Sequence, residues 1–304
     1  MHLLKISDLT RGEIERLIER ASTLKERHKK GIPYHPLRGK TLGLIFEKSS
    51  TRTRVSFEAA MYHFGGDAIF ISQRDAQIGR GEPIKDTARV MSRYVDAMVV
   101  RTFGHEIIEE YAMYSTVPVI NGLTDSHHPC QVLADLLTIV EAKGGLDGIT
   151  ACWIGDGNNM ANSWIEAAAR LGFSLRLACP KGYEPDGRLL EEAQSGVGTI
   201  ELVDTPGEAA RDADVLNTDV WASMGQEDES EKRAAVFEGY GINRETLALA
   251  GKDAMVMHCL PAHRGEEITD DVLEGPNSVV WDQAENRLHM QKAVLEWLLV
   301  EKKG

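Results

Sequence analysis

Lys48-Ser49-Ser50-Thr51-Arg52-Thr53-Arg54 gathers the side chains best suited to holding a phosphate into one short stretch. Serine and threonine hydroxyls make short hydrogen bonds to phosphate oxygens. A guanidinium grips two such oxygens through parallel charge-assisted bonds, each worth roughly 1.5–3 kcal/mol. Leu42, Leu44, Ile45 and Phe46 before the stretch read as a buried strand, and Val55, Ala59, Ala60 and Phe64 after it recur at helical spacing. The stretch therefore sits on a strand-to-helix turn, which aims backbone N–H groups and the positive end of the helix dipole at whatever fills its mouth. The chemistry this predicts is capture of a small phosphorylated anion by Arg52 or Arg54 and the hydroxyls. A plain helix N-cap followed by a solvated Arg pair uses the same residue types.

His258-Cys259-Leu260-Pro261 closes an apolar run, at the carboxyl edge where open parallel sheets place their ligands. A lone cysteine there is ordinarily a packed core thiol. Paired with His128, Cys259 would make a nucleophile and its base, which keeps a thiol hydrolase as a second class. Gly155-Asp156-Gly157-Asn158-Asn159 follows a strand and opens a helix. Met160 stands where G-x-G-x-x-G needs its last glycine, and the next strand ends at Ala178-Cys179-Pro180 without an acid for a ribose, so a nicotinamide enzyme is disfavoured. The turn better serves to present Asn159 to a small substrate. Gln73 to Pro83 is a long polar surface loop. Gly225 to Gly241, with Glu227, Asp228, Glu229 and Glu231, reads either as a solvated loop or as a lid over a substrate. A third class, a non-catalytic anion-binding or assembly protein, leaves the several polar loops at strand ends without a task.

The elements that must position these residues alternate. Ser7 or Thr10 caps a first helix whose face carries Ile14, Leu17, Ile18, Ala21 and Leu24. After the phosphate motif, strands are expected at Ala68–Ile71, Ala97–Val100 and Val117–Ile120, with helices at Ala88–Tyr94 and Ile107–Tyr114 between them. His127-His128-Pro129-Cys130-Gln131 opens a helix with Leu133, Leu136, Leu137 and Val140 as its buried stripe, and the domain boundary is expected across it. A second series follows, with strands at Ile149–Ile154, Leu175–Ala178, Ile200–Val203, Asp214–Asn217, Ala254–Met257 and Val279–Trp281. A last helix runs from Arg287 to Val300. Such alternation predicts an α/β fold of two domains, each a parallel sheet covered on both faces.

Composition narrows the partners. A chain of 304 residues has room for two cores. Its net charge of −13 argues against nucleic acid, whose phosphates most of this surface would repel. No apolar run is long enough to span a membrane, and Met1 to Leu9 lacks a signal-peptide core, so a cytoplasmic location is expected. Cys130, Cys152, Cys179 and Cys259 are irregularly spaced and suggest neither a disulfide framework nor a zinc site.

The motifs taken in order resemble those of the carbamoyltransferases over essentially the full length. They are Ser50-Thr51-Arg52-Thr53-Arg54, the loop Asp75 to Pro83, His128-Pro129-Cys130-Gln131, Asp219-Val220-Trp221-Ala222-Ser223-Met224-Gly225, His258-Cys259-Leu260-Pro261 and Glu285-Asn286-Arg287. Ser223-Met224-Gly225 and His258-Cys259-Leu260-Pro261 point to the ornithine-using branch, since aspartate-using relatives are expected to lack both. The resemblance implies transfer of the carbamoyl group of carbamoyl phosphate to the δ-amine of L-ornithine, giving L-citrulline and phosphate in arginine biosynthesis, with no metal or organic cofactor. It implies a carbamoyl phosphate-binding domain over residues 1–140, completed by a C-terminal helix 287–304, an ornithine-binding domain over 141–286, and a substrate cleft between them. Carried over by residue, Ser50, Thr51, Arg52, Thr53, Gln77, Arg101, His128, Gln131, Leu260 and Arg287 hold carbamoyl phosphate. Asn159, Asp219, Ser223, Met224 and Cys259 hold ornithine, and Cys259, Arg101, His128 and Arg287 carry the chemistry. The resemblance further implies a homotrimer or a higher assembly of trimers.

Overall fold

The computed structural model describes residues 1–72, 81–222 and 227–301. The chain divides into two compact units, Met1–Leu137 with Glu285–Gly304, and Thr138–Ala284. Gln77, Ser223 and Met224 lie outside the described residues.

In the first unit, helix α1 (Arg11–Lys29) starts at Thr10, whose hydroxyl accepts from Glu13 N while the Glu13 carboxylate returns to Thr10 N, a reciprocal cap. Then β1 (Thr41–Phe46), α2 (Thr51–His63), β2 (Asp67–Ser72), α3 (Ile84–Met91), β3 (Ala97–Arg101), α4 (His105–Tyr114), β4 (Val119–Leu123) and α5 (Pro129–Lys143) alternate. The four strands are parallel in the order β2-β1-β3-β4. β3 is buried along its whole length and β1 nearly so, which is why both read as continuous apolar runs. The register of β3 against β4 slips between Val100 and Arg101, because β4 carries one extra residue, Gly122, between their partners Asn121 and Leu123.

The second unit repeats the plan with β5 (Thr150–Ile154), α6 (Asn159–Leu171), β6 (Ser174–Ala178), α7 (Gly187–Ala193), β7 (Thr199–Val203), α8 (Pro206–Ala210) and β8 (Val215–Thr218). It continues with α9 (Ser230–Val236), α10 (Arg244–Ala248), β9 (Met255–His258), α11 (Asp270–Leu273) and the start of α12 (Val280–Glu296). Its five strands are parallel, ordered β7-β6-β5-β8-β9. Trp153 and Trp164 are buried at its centre, with Phe173 edge-on to Trp164 at 5.9 Å.

Two expectations need correcting. Val279–Trp281 is not a strand. Only a single bridge forms there, Val256 N donating to Asn277 O and Val279 N to Val256 O, and the chain then turns directly into α12. The last helix consequently begins at Val280 rather than Arg287. The polar stretch after Gly225 is not simply a solvated loop either. It contains α9, and Phe237 behind it is fully buried, stacked on Trp221 and edge-on to Tyr183. A run of charge hid one apolar anchor. Among the described residues no helix is long and apolar enough to cross a membrane.

Trp164→Ala is expected to cost about 3–5 kcal/mol, because a large buried ring leaves a cavity that its aromatic neighbour cannot fill. Urea unfolding followed by circular dichroism measures it, and a loss below 1 kcal/mol would place Trp164 outside the core.

Candidate active site

In open parallel sheets, ligands collect where the strand order reverses. The first sheet reverses between β1 and β3, since β2 lies on one side of β1 and β3 on the other. Past the end of β1, Ser50 is extended (φ −161°) and its Oγ accepts from Thr53 N at 3.1 Å, which caps α2. The N-cap reading of this motif is thus correct as far as Ser50 goes. Thr51 is exposed in the first turn, whereas Thr53 is buried and its Oγ1 accepts from Arg287 Nη2 at 2.8 Å. Arg287, on α12, also donates to Gln131 Oε1 on α5, and Gln131 Nε2 donates to Asp135 Oδ1 at 2.8 Å. Arg101 ends β3, the neighbour of β1, and is 3% exposed.

His128 lies within the field of all these cations. Burial first, then the charges of Arg287, Arg101 and Arg52, hold its imidazole well below the usual value. It is therefore neutral at pH 7 and can donate one hydrogen bond without adding a fourth charge. Three guanidinium groups beside a neutral imidazole have the chemistry to receive an anion and to donate to one of its oxygens without a further charge. Arg54 does not join it. Its side chain is held by Glu58 at 2.9 Å and lies over the Phe70 ring at 3.7 Å.

The second sheet reverses between β5 and β8. After β5, Gly157 must be glycine, because a Cβ there would lie 2.2 Å from Pro185 N. Asn158 then caps α6, its Oδ1 accepting from Met160 N and Ala161 N, while its Nδ2 donates to Asp219 Oδ2 at 3.1 Å. Asp219, just past β8, accepts on Oδ1 from Val220 N at 2.8 Å and from the Cys259 thiol at 3.0 Å. Asn159 is buried at the first position of α6.

Cys259 owes its position to the histidine before it. His258 Nδ1 accepts from Leu260 N at 2.8 Å, so the proton resides on Nε2, which donates to Glu267 at 3.0 Å; both side chains are fully buried. That bond holds Leu260 in a left-handed conformation (φ 59°), one that a side chain of its type rarely adopts. Of the four free cysteines, only Cys259 is partly accessible. Burial pushes the thiols of Cys130, Cys152 and Cys179 up to about 12.

Two family models match the chain: the carbamoyl-P binding domain of aspartate/ornithine carbamoyltransferase over residues 1–141, and its Asp/Orn binding domain over residues 147–298. A curated ornithine carbamoyltransferase from Geobacter sulfurreducens is 58% identical over 98% of this chain and 99% of its own length. The chain belongs to the aspartate/ornithine carbamoyltransferase family. Solved structures of family members agree. The ornithine carbamoyltransferase from Pyrococcus furiosus superposes with a TM-score of 0.96 at 52% identity, covering 100% of this chain and 98% of that one. The anabolic enzyme from Campylobacter jejuni gives 0.93 at 43% identity, with 99% of each chain covered.

For a carbamoyltransferase of this sequence, the structure draws Arg52, Thr53, Arg101, His128, Gln131 and Arg287 into one network, and Asp219 with Cys259 into another. It adds three residues that sequence reasoning missed. Asn158 carried a signal, an asparagine at the opening of a helix. Glu267, nine positions past His258, carried none. Arg233 sits in the polar run and donates to Asp156 Oδ2 and to Trp221 O, both at 2.8 Å. It thereby ties α9 to the turn after β5.

Glu267→Leu is expected to destabilise the protein by about 2–4 kcal/mol, since it leaves the His258 Nε2–H and the His263 backbone N–H without their acceptor. Glu267→Gln should recover most of that loss, and equal loss in both variants would remove the acceptor role. His128 also makes stability pH-dependent. Its folded value is depressed, so below about 6.5 the unfolded chain binds a proton that the folded chain refuses. Stability is full above that pH and falls as the solution is acidified toward the folded value. Melting temperatures from pH 8 to pH 5.5 should drop more steeply in the wild type than in His128→Asn; parallel slopes would contradict the assignment.

Proposed function

We propose that this carbamoyltransferase transfers the carbamoyl group of carbamoyl phosphate to the δ-amine of L-ornithine, giving L-citrulline and phosphate for arginine biosynthesis. The observation that carries the reading is the convergence of Arg52, Arg101 and Arg287 around a neutral, buried His128. Carbamoyl phosphate joins a poor electrophilic carbon to a good leaving group. Its enzyme must therefore neutralise a departing phosphate and polarise a carbonyl oxygen, and preorganised guanidinium groups with an uncharged imidazole donor provide both. In this reading Ser50, Thr51, Arg52, Thr53, Gln77 and Arg101 hold the phosphate, while His128, Gln131, Leu260 and Arg287 attend the carbamoyl end.

The second substrate arrives with its amine protonated. At a lysine-like value of about 10.4, only about one δ-amine in a few thousand is neutral at pH 7, a penalty of roughly 4–5 kcal/mol. Cys259 answers this need in the proposed mechanism. Its proton points to Asp219 Oδ1, which leaves sulfur lone pairs to accept an N–H from the amine and draw it toward the neutral form. The amine nitrogen bonds to the carbamoyl carbon, the bond from that carbon to the phosphate oxygen breaks, and the amine's surplus proton leaves through Cys259 or the departing phosphate. Asp219, with Asn159, Ser223 and Met224, holds the amino-acid end. The residues 1–140 and 287–304 would be the carbamoyl phosphate-binding domain, and 141–286 the ornithine-binding domain. A homotrimer, or a higher assembly of trimers, in the cytoplasm completes the proposal; family resemblance supports it. The anabolic relative supports the biosynthetic role.

A carbamoylation assay offering ornithine, putrescine, aspartate and N-acetylornithine side by side tests the substrate, with ornithine expected to be consumed fastest by at least about a hundredfold. Preference for any other amine would overturn it. Arg52→Leu should raise the KM for carbamoyl phosphate and lower kcat, together costing about 2–4 kcal/mol in kcat/KM, with an unchanged melting temperature. Cys259→Ala should keep carbamoyl phosphate binding and a residual rate that climbs with pH, because free ornithine then loses its proton unaided. A carbamoylated Cys259, trapped at the rate of turnover with carbamoyl phosphate alone, would replace direct attack with a covalent route.

A further inference from the structure

Away from the phosphate network, α1 with the loop after it, α2 and α12 line an open cavity of about 520 Å³ in the first unit, within the size range of small-ligand sites. Its lining is basic and aromatic: Arg27, His28, Tyr34, His63, Phe64 and Lys292. Lys292 is 3% exposed, and among the described residues no carboxylate pairs with it; its ammonium meets only the Phe64 ring, 5.8 Å from the centroid. A buried ammonium without a counter-charge is costly, and Lys292 still titrates at about 8, so it carries its charge at pH 7. Arg27 Nε and His63 Nδ1 are likewise buried without hydrogen-bond partners. Arg27 otherwise donates to Pro33 O and lies over the Tyr34 ring at 4.8 Å. His28 and His63 stack at 4.6 Å.

The two acids that border the cavity are already engaged: Glu296 accepts from the Tyr34 hydroxyl and from Arg20, through Nε at 2.6 Å and Nη2 at 2.8 Å. Glu285 is the carboxylate that acts on His28 and His289, and it is held by Lys29 and His289, each at 3.4 Å, with Lys25 also drawing on it. Burial, then Lys292 and then His28, hold His63 down at about 4. In a chain of net charge −13, two cations on one cavity wall, Lys292 and Arg27, with no carboxylate of their own among the described residues, are a local reversal of sign.

We propose that this cavity binds a phosphate monoester that carries a flat ring, with Lys292, Arg27, His28 and His63 holding the dianion and the aromatic side chains receiving the ring. The site is separate from the phosphate network, since Arg52 and His63 stand at opposite ends of α2, about 16 Å apart at helical rise. It shares α2 and α12 with that network, through Arg52 and His63 on one helix and Arg287 and Lys292 on the other.

The probe is phenyl phosphate, titrated calorimetrically into the full-length wild type, Arg52→Leu, Lys292→Gln and Arg27→Gln at pH 7. The wild type should show two binding events. Arg52→Leu should keep the one at the new site. Lys292→Gln should weaken that one by about tenfold or more, and Arg27→Gln, altered at a half-buried position, should weaken it too if the lysine variant misfolds. Inorganic phosphate should bind there about threefold to tenfold more weakly than phenyl phosphate, because it lacks a ring to pack. The heat at this site should also differ between buffers of different ionisation enthalpy, since a bound dianion raises the imidazole values and draws in protons, a readout that a purely structural lysine would not move. Loss of the Arg52-dependent event alone would count against the carbamoyl phosphate assignment and leave this one standing. Absence of any event that survives Arg52→Leu, insensitivity of that event to both Lys292→Gln and Arg27→Gln, or equal affinity for inorganic phosphate would overturn the proposal.

Discussion

Three guanidinium groups gathered into a mostly apolar unit repel one another, and the architecture of the first unit is largely a means of holding them there. Arg101 is carried by a fully buried strand, Arg52 by the first turn of α2 and Arg287 by α12, so three separate elements set their spacing. His128 would be a fourth charge in the group. Burial and the neighbouring cations keep it neutral, and the neutral ring becomes a donor the cations can tolerate. Gln131 and Thr53 take hydrogen bonds from Arg287, which fixes its plane. The arrangement is most relaxed when an anion completes it, and this stored repulsion favours a dianionic ligand over any neutral one.

The same sheet logic is used twice. In each unit the polar residues collect past the carboxyl ends of two strands at which the order reverses, where neighbouring loops leave in opposite directions and open a gap. Guanidinium groups fill that position in the first unit. In the second, a carboxylate, a carboxamide and a thiol fill it, linked as Asn158 to Asp219 to Cys259. In the proposed function, one fold serves twice, with a receptor for negative charge on the first sheet and one for an amine on the other. The parallel strands themselves take no part in either chemistry. Their contribution is rigidity, since strands buried on both faces leave loops as the only freely variable parts.

The second unit spends one residue on holding another. His258 fixes the backbone of Leu260 through Nδ1 while Glu267 fixes its tautomer through Nε2. Cys259 is thereby held between a locked strand end and a locked left-handed residue. In the proposed mechanism that rigidity matters, because the thiol has to face Asp219 in one direction and the amine in the other.

Much of this was legible in the residues alone. Alternating apolar runs and helical periodicities specify two parallel α/β sheets, because a strand buried on both faces and a helix buried on one leave different patterns. The strand-to-helix turn that carries Ser50 to Arg54 and the carboxyl-edge position of Cys259 follow from local order. Tertiary structure decided what depends on distance along the chain. It separated Arg52, which faces His128, from Arg54, which Glu58 and Phe70 hold elsewhere. Arg287 and Thr53 are far apart in sequence, and only the return of α12 to the first unit makes them partners. The start of α12 was misread because Val279–Trp281 is apolar enough for a strand, yet it meets only one bridge before the helix begins. Glu267 left no trace in the sequence, since its task is to satisfy one buried nitrogen of His258. A lone acid in a polar loop looks the same whether or not the fold has closed over it.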